Sequence, residues 1–222
     1  MLTDIACRVY DLGRADYRSA LDVQLSLVER CRRGEISAAL VLVEHEPVIT
    51  MGAAAKDCNL LLSEDRLREL GVDLVETDRG GDITYHGPGQ IVAYPILSLK
   101  ALGLDAHEYL RRLETVVIDT LEDYGLKGSR HGPAGVWVGD RKVCSIGIAI
   151  RRSVTYHGLA FNVAPNLAHF SYINPCGLNS AQITSLTELL ESPPSIAEAA
   201  LSLKRNFEAV FGVHLVEPST SN

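Results

Sequence analysis

The sequence predicts an α+β protein with a mixed or largely antiparallel sheet flanked by helices. Three observations lead to this class. Strand-like segments outnumber helical ones, several follow one another without an intervening helix, and the 222 residues suffice for one domain with a substantial core. Strands that are consecutive along the chain favour antiparallel pairing over a doubly wound parallel sheet.

Seven segments have the branched and aromatic composition of strands, with turn residues at their ends. They are residues 5–12, 38–45, 82–86, 91–97, 135–139, 142–150 and 155–163. The sequence GVWVGDRKVCSIGI (135–148) is typical of a hairpin, with Gly139, Asp140 and Arg141 at its turn.

Four helices are expected, near residues 15–32, 63–70, 105–125 and 195–212. In the third, Asp105 can cap the first turn, Glu108 follows at capping-box spacing, and an apolar stripe runs along one face. The fourth begins in the same way at Ser195. A single domain over residues 1–222 is expected, with a small C-terminal helical part from about residue 192, after the Pro/Ser-rich stretch 191–195.

Composition limits the classes of function. The chain is 46% hydrophobic and 22% charged, as soluble globular proteins are, and no apolar run approaches the ~20 residues that span a bilayer. Its start lacks the basic-then-apolar order of a signal peptide. We therefore expect a cytoplasmic protein without membrane association. The net charge of −7 disfavours binding to nucleic acid.

The cysteines predict free thiols. Five of them are widely spaced, without a C-x-x-C pair, which argues against both a disulfide framework and a zinc site. We accordingly expect no metal. One thiol stands out: in FSYINPCGL (170–178), Cys176 lies between a proline and a glycine, neither of which suits an element interior. This pattern fits either an ordinary turn or a thiol displayed for chemistry.

Glycines mark three further candidate sites. RGGDITYHGPGQ (79–90) places four glycines around a short strand, with Arg79 and His86 as charged and titratable groups. It matches neither a dinucleotide-binding nor a P-loop pattern, so it is either a bent hairpin or a place where a ligand approaches backbone N–H groups. The segments Ser145–Gly147 and Gly158–Ala160 place glycine in strands, which indicates either a groove for a slender apolar chain or a pair of bulges.

Lys142 begins a strand face that is otherwise apolar. Strict alternation would put it on the same face as Cys144 and Ile146. It either extends to solvent from the turn or points into a poorly solvated site, where its pKa would fall and it could exchange protons with a thiol. Lys142 also belongs to a locally basic stretch with Arg141, Arg151 and Arg152, which is either a solvated strand end or a patch that attracts an acidic partner.

Together these motifs resemble the lipoate–protein ligase B family, the octanoyl-carrier-protein–protein octanoyltransferases. The matching segments are EHEPVITMG (44–52), RGGDITYHGPGQ (79–90), GVWVGDRKVCSIGI (135–148), HGLAFNV (157–163), INPCGL (173–178) and TSL (184–186). The resemblance implies a biotin/lipoate protein ligase-like fold. It also implies transfer of octanoyl from acyl-carrier protein to Cys176 and then to a lysine of a lipoyl domain, the first step of endogenous lipoate biosynthesis.

By the same resemblance Cys176 is the acyl-thioester nucleophile and Lys142 its acid/base partner. The residues implied to line the acyl site are Arg79, Gly80, Gly81, Asp82, Ile83, Thr84, Tyr85, His86, Ser145, Ile146, Gly147, Gly158, Leu159 and Ala160. The implied acceptors are lipoyl domains of 2-oxoacid dehydrogenases and the glycine cleavage H protein. A thiol exchanges with a thioester at little thermodynamic cost, so we expect no ATP requirement, and we expect a monomer.

Three alternatives predict different behaviour. An ATP-dependent lipoate or biotin ligase of the same fold would activate its acid as an adenylate and would not need Cys176. A noncatalytic module that binds a carrier protein would use the basic stretch alone. A papain-like protease is disfavoured because the sequence context of that family's catalytic cysteine is absent.

Overall fold

The computed structural model describes residues 5–174 and 182–217, which form two sheets and six α-helices in the described part of the chain. The strands are β1 (Ile5–Ala15), β2 (Ala38–His45), β3 (Val48–Met51), β4 (Asp73–Glu76), β5 (Ile83–His86), β6 (Gln90–Leu97), β7 (Gly128–Ser129), β8 (Gly135–Val138), β9 (Arg141–Arg151), β10 (Val154–Asn162) and β11 (Val213–Val216). The α-helices are α1 (Tyr17–Arg32), α2 (Glu64–Glu69), α3 (Leu99–Leu102), α4 (Ala106–Glu122), α5 (Leu186–Leu189) and α6 (Ile196–Phe211). Short 3-10 helices cover Asp57–Asn59 and Leu167–Tyr172.

The large sheet has the strand order β11-β1-β2-β6-β10-β9-β8-β7 over the described residues. Strand β1 runs parallel to both β2 and β11, and the other neighbours are antiparallel. The small sheet has the order β4-β3-β5, with β3 parallel to β4 and antiparallel to β5. The predicted mixed sheet is confirmed.

All seven predicted strand segments are strands, and β8 and β9 form the predicted hairpin. Gly139 at its turn has φ +61°, a conformation that glycine adopts without steric cost. The sequence did not indicate β3, β4, β7 or β11. Each of these has only two to four residues, as the predicted β5 and β8 also do, so alternation alone does not decide strands of this length.

The large sheet buries both of its faces. One face packs against α4 and α6 in the main core, where the stripe of Leu113, Val117 and Leu121 on α4 is fully buried. The other face packs against α1 toward the β2 and β6 side. The small sheet has its own apolar cluster, which includes Phe170 of the second 3-10 helix. Helix α6 packs beside α4 in the same layer and also contributes side chains to the main core.

Side-chain caps begin the predicted helices. Asp105 accepts a hydrogen bond from the Glu108 backbone N–H at 2.7 Å, whereas the Glu108 side chain pairs with Arg112 and does not complete a capping box. Ser195 and Glu198 do form the full capping box of α6. The first residues of these helices were therefore predictable from the cap residues in the sequence.

Candidate active site

A cavity of about 180 Å³ lies between the large sheet and the glycine-rich segment that enters β5. One water needs only ~10–15 Å³, so this volume is sufficient for a small ligand. Its floor comes from β6, β9 and β10. The predicted site residues that line it are Arg79, Gly80, Gly81, Asp82, Ile83, Thr84, His86, Lys142, Ser145, Ile146, Gly147, Gly158, Leu159 and Ala160.

Tyr85 does not line this cavity. Its ring instead contacts the rings of Phe170 (5.5 Å between centroids) and His169 (5.0 Å). Its hydroxyl lies 2.6 Å from Nδ1 of His169. Tyr85 therefore lies apart from the other residues implied to line the acyl site, and its part in acyl binding stays a prediction.

Lys142 is buried, with 4% of its surface exposed, and it lines the cavity. A β-bulge places it there. Val136 pairs with Cys144 and Trp137 pairs with Lys142, so Val143 is an extra residue on β9. The Lys142 Nζ lies 5.7 Å from the centroid of the Trp137 ring.

The bulge also overturns the prediction that Lys142 and Cys144 share a face. Val143 and Cys144 both belong to the main core, on the α4 side. Burial raises the pKa of the Cys144 thiol to about 12, although Lys142 acts to lower it. Cys144 is therefore a packed thiol at neutral pH and a poor nucleophile.

Cys176 lies outside the described residues, and its role stays a prediction. Ile183, after it in the chain, lines the cavity, and Asn174, before it, is connected to the cavity wall through Asn59. The Thr184 N–H donates to the Lys142 carbonyl at 2.9 Å, and Ile183 lines the cavity. On the other side, the Asn174 N–H donates to the Asn59 carbonyl at 2.7 Å, and the Asn59 side chain donates to Asp82 of the cavity wall.

The glycine-rich segment forms a wall held by backbone hydrogen bonds. The Gly80 N–H donates to the Ile148 carbonyl of β9 at 2.8 Å, and the Ala53 N–H donates to the Arg79 carbonyl at 2.9 Å. A Cβ atom on Gly147 would lie 2.7 Å from the Gly80 oxygen. The groove predicted at Gly147 is therefore filled by the backbone of this segment, and the absence of a side chain is what allows the approach.

Gly158 has a different role. A Cβ atom there would clash with the Ala93 carbonyl of β6. The preceding residue, His157, has φ +54°, so β10 departs from regular strand geometry at this point. The pairing of β10 with β9 runs through Gly158 without a register shift, so Gly158 is not a bulge, and the Ala93 carbonyl occupies the space that a groove would need.

Arg79 is buried and bound to β3. Its Nη2 donates to the Thr50 carbonyl at 2.6 Å and to Oγ1 of Thr50 at 2.9 Å, and its Nε also donates to that hydroxyl. Its charge is one of the causes, after burial and His45, that hold the pKa of His86 well below its ordinary value. The cavity thus has a fixed positive charge in its wall.

The end of the cavity away from Lys142 is lined by aromatic side chains that the sequence analysis did not assign. Tyr17, Tyr94 and His157 lie there with His86, and Tyr94 donates its hydroxyl hydrogen to Nε2 of His45 at 2.7 Å. Burial lowers the pKa of His45 to about 4 and also lowers that of His157. These rings are neutral at pH 7. No single sequence motif joins them, since they come from five separate segments.

The predicted basic stretch is divided. Lys142 points into the protein, and Arg141 pairs with Glu188 at 3.2 Å. Arg151 and Arg152 remain exposed at the turn between β9 and β10. The interpretation of these four residues as one basic patch is thus wrong, and two exposed arginines remain at the turn.

Among residues 5–174 and 182–217 no cluster of three or more metal-ligating side chains occurs. No helix in the same ranges is both long and apolar enough to cross a bilayer.

The fold thus places a buried lysine in a cavity between the sheet and a glycine-rich wall. The model of the lipoyl protein ligase A/B catalytic domain matches residues 16–208. The chain therefore belongs to the lipoyl protein ligase A/B family.

Curated relatives place it more closely. It is 43% identical to the octanoyltransferase of Alkaliphilus metalliredigens over 94% of this chain and 97% of that protein. It is 44% identical to the octanoyltransferase of Chloroflexus aurantiacus over 92% of this chain and 94% of that protein. The predicted resemblance, the acyltransferase class and octanoyl transfer as the activity of the family are confirmed.

Solved structures show the same fold. The bi-partite lipoate protein ligase of Thermoplasma acidophilum matches with a TM-score of 0.76 and 18% identity, covering 98% of this chain and 88% of that one. The biotin protein ligase of Aquifex aeolicus, in complex with biotin and ATP, matches with a TM-score of 0.55 and 14% identity, covering 92% and 70%. The predicted biotin/lipoate protein ligase-like fold is confirmed.

Proposed function

We propose that this protein transfers an octanoyl group from octanoyl-acyl-carrier protein to a specific lysine of lipoyl domains, through a thioester on Cys176. This would be the first step of endogenous lipoate biosynthesis. Its relatives are octanoyltransferases. The observation that carries the proposal is the cavity, which is lined by the buried Lys142 and by Ile183 from the segment that follows Cys176 in the chain.

In the first half-reaction the Cys176 thiolate attacks the donor thioester carbonyl. A new C–S bond forms, the donor C–S bond breaks, and the carrier thiol takes up a proton as it leaves. The Lys142 ammonium favours the thiolate form by its charge and can supply that proton.

In the second half-reaction the amine of the acceptor lysine attacks the acyl-enzyme. An amide bond forms, the C–S bond to Cys176 breaks, and the attacking nitrogen loses a proton. A neutral Lys142 amine can accept this proton, which an arginine at the same position would not do.

The acyl chain would occupy the cavity beside Ser145, Ile146 and Leu159, against the glycine-rich wall. Neutral histidine rings at the far end suit an apolar tail better than protonated ones would, because a charged imidazolium would have to lose water when the tail binds. Burial of an eight-carbon chain contributes about 0.8 kcal/mol per methylene group.

Neither ATP nor a metal has a part in this chemistry, since the acyl group arrives already activated as a thioester. The proposed acceptors are lipoyl domains of 2-oxoacid dehydrogenases and the glycine cleavage H protein. We propose a monomer that acts in the cytoplasm, and we assign Arg151 and Arg152 to the attraction of the acidic carrier protein.

Intact mass spectrometry tests the proposal directly. Incubation with octanoyl-carrier protein without ATP should add the mass of one octanoyl group, and a purified lipoyl domain should then remove it. Cys176→Ala should stay unmodified. Acylation of the lipoyl domain that needs ATP and persists in Cys176→Ala would favour the ligase alternative.

A further inference from the structure

His157 faces the opposite side of the sheet from the one that alternation along β10 predicts. Leu159 and Phe161, its odd-numbered neighbours, belong to the main core on the α4 side. His157 instead contacts the rings of Tyr94 and Tyr156 in the cluster that packs against α1, with its ring centroid 4.7 Å from that of Tyr156. Both consecutive side chains therefore point to the same side.

The backbone at His157 produces this orientation. Its φ of +54° is a left-handed conformation that a residue with a side chain adopts only at a steric cost. The His157 N–H leaves the strand ladder and donates to Oε1 of Gln24 on α1 at 2.8 Å. Such strain persists only where the surrounding structure fixes it, and it often serves to redirect a side chain.

Asp78 is the group toward which both side chains are directed. Nε2 of His157 lies 2.9 Å from Oδ1 of Asp78, and the Tyr156 hydroxyl donates to Oδ2. A carboxylate only accepts, so Nε2 of His157 carries the hydrogen. Burial alone would raise the pKa of Asp78, but these hydrogen bonds outweigh it and lower the pKa below its ordinary value.

Asp78 directly precedes the glycine-rich wall. Arg79 is bound to Thr50 of β3, and the Gly80 N–H donates to Ile148 of β9. Asp78 adds an attachment to β10, the strand at the middle of the cavity floor. Because the Gly80 oxygen fills the space above Gly147, a small shift of this wall changes the width of the cavity.

We propose that Asp78 is a positioning residue for the acyl-binding cavity: by binding Tyr156 and His157 it holds the glycine-rich wall at the distance from the sheet that an acyl chain requires. This inference rests on the proposed octanoyl transfer. Asp78 lies at the rim, with 63% of its side chain exposed, and takes no part in the bond-making steps.

Three variants weaken the attachment of Asp78 to β10 to different extents. Asp78→Ala removes both hydrogen bonds, Asp78→Asn keeps one acceptor oxygen, and Tyr156→Phe removes one donor. Glu76→Gln is the control, because Glu76 is also exposed and lies two residues away on β4. Each protein is assayed with a small octanoyl thioester for kcat and KM, and hydrogen exchange is followed at the Gly80 amide.

We expect Asp78→Ala to raise KM about tenfold, as loss of hydrogen bonds to a charged group would, with kcat within about twofold of the parent. Asp78→Asn and Tyr156→Phe should give intermediate KM values. Exchange at Gly80 should be faster in the order of KM, while exchange in β1 and β2 is unchanged. Glu76→Gln should match the parent.

An unchanged KM and unchanged Gly80 exchange in Asp78→Ala would overturn the inference. Equal acceleration of exchange throughout both sheets would also overturn it, because the carboxylate would then support the whole fold. A parent protein that does not transfer octanoyl would contradict the proposed function instead, and the exchange measurement would still decide whether Asp78 holds the wall.

Discussion

At the scale of single residues, the position of Lys142 depends on one extra residue in β9. The bulge at Val143 sends Lys142 into the cavity and Cys144 into the core. Alternation in the sequence would have kept them together. Substitutions of Lys142, Cys144 and Cys176 should therefore have different effects on catalysis.

We expect Lys142→Arg to retain part of the acylation step but to transfer onward slowly, so that acyl-enzyme accumulates. Arginine keeps the positive charge that favours the thiolate but stays protonated and cannot accept the acceptor's proton. Lys142→Met should slow both half-reactions. Single-turnover kinetics of each half-reaction measure this, with circular dichroism to check folding. Turnover of Lys142→Arg at the parent rate would leave Lys142 with an electrostatic or structural role, and proton transfer would pass to His86, His157 or water.

Cys176→Ala should abolish acyl-enzyme formation, whereas Cys144→Ala should retain most of it. Cys144 is buried with a pKa of about 12, so very little of it is thiolate at neutral pH. Each protein is incubated with a labelled octanoyl donor and digested, and mass spectrometry of the peptides locates the acyl group. Label that persists in Cys176→Ala and disappears in Cys144→Ala would reverse the assignment.

At the scale of elements, the cavity exists because a glycine-rich segment approaches β9 without intervening side chains. Neither the segment nor the strand forms the site alone. Their separation is set by backbone contacts, and so is sensitive to a single methyl group.

Gly147→Ala should destabilise the protein by about 1–3 kcal/mol and raise KM for octanoyl donors. The added Cβ would lie 2.7 Å from the Gly80 oxygen, and a backbone atom must move to admit it. Urea unfolding and steady-state kinetics measure the two effects. Ile150→Ala, at a 40% exposed position on the same strand, is the control and should cost under about 1 kcal/mol. An effect on stability no larger than that of the control would contradict this account.

The turn between β9 and β10 carries the exposed Arg151 and Arg152. Replacing both by glutamate should raise KM for the carrier-protein donor far more than KM for a small octanoyl thioester. Charges that attract a macromolecule act over a distance and are screened by salt, so added salt should mimic the variant in the parent protein. Equal losses with both donors would indicate that the pair supports the site itself.

At the scale of the whole molecule, buried neutral histidines make stability depend on pH. His45 is fully buried between Ala15 and Tyr94, and burial lowers its pKa from 6.5 to about 4, against the opposing effect of the Ala15 carbonyl and Asp16. Between these values the unfolded chain binds the proton and the folded protein does not. The contribution of neutral His45 to the free energy of unfolding is therefore fully present above pH 6.5 and is lost as the pH drops toward 4.

Protonation of His45 alone should lower the free energy of unfolding by about 3 kcal/mol over that range. Urea unfolding from pH 7.5 to 4.5 measures it in the parent and in His45→Gln, which does not titrate and should show a shallower decline. The exposed His107→Gln is the control and should follow the parent. The same pH dependence in His45→Gln and the parent would contradict the assignment.

The sequence by itself determined the family, the mixed sheet, seven of the strands and the capped helices, because these depend on local patterns and on motifs that are contiguous in the chain. It also indicated fourteen of the 21 residues that line the cavity. Tertiary structure decided what depends on contacts between distant segments: the bulge that separates Lys142 from Cys144, the placement of Tyr85 outside the cavity lining, and the meeting of Tyr17, Tyr94 and His157 at the far end of the cavity. Asp78 belongs to this second group, since only the left-handed backbone at His157, fixed by packing, brings its partners to it.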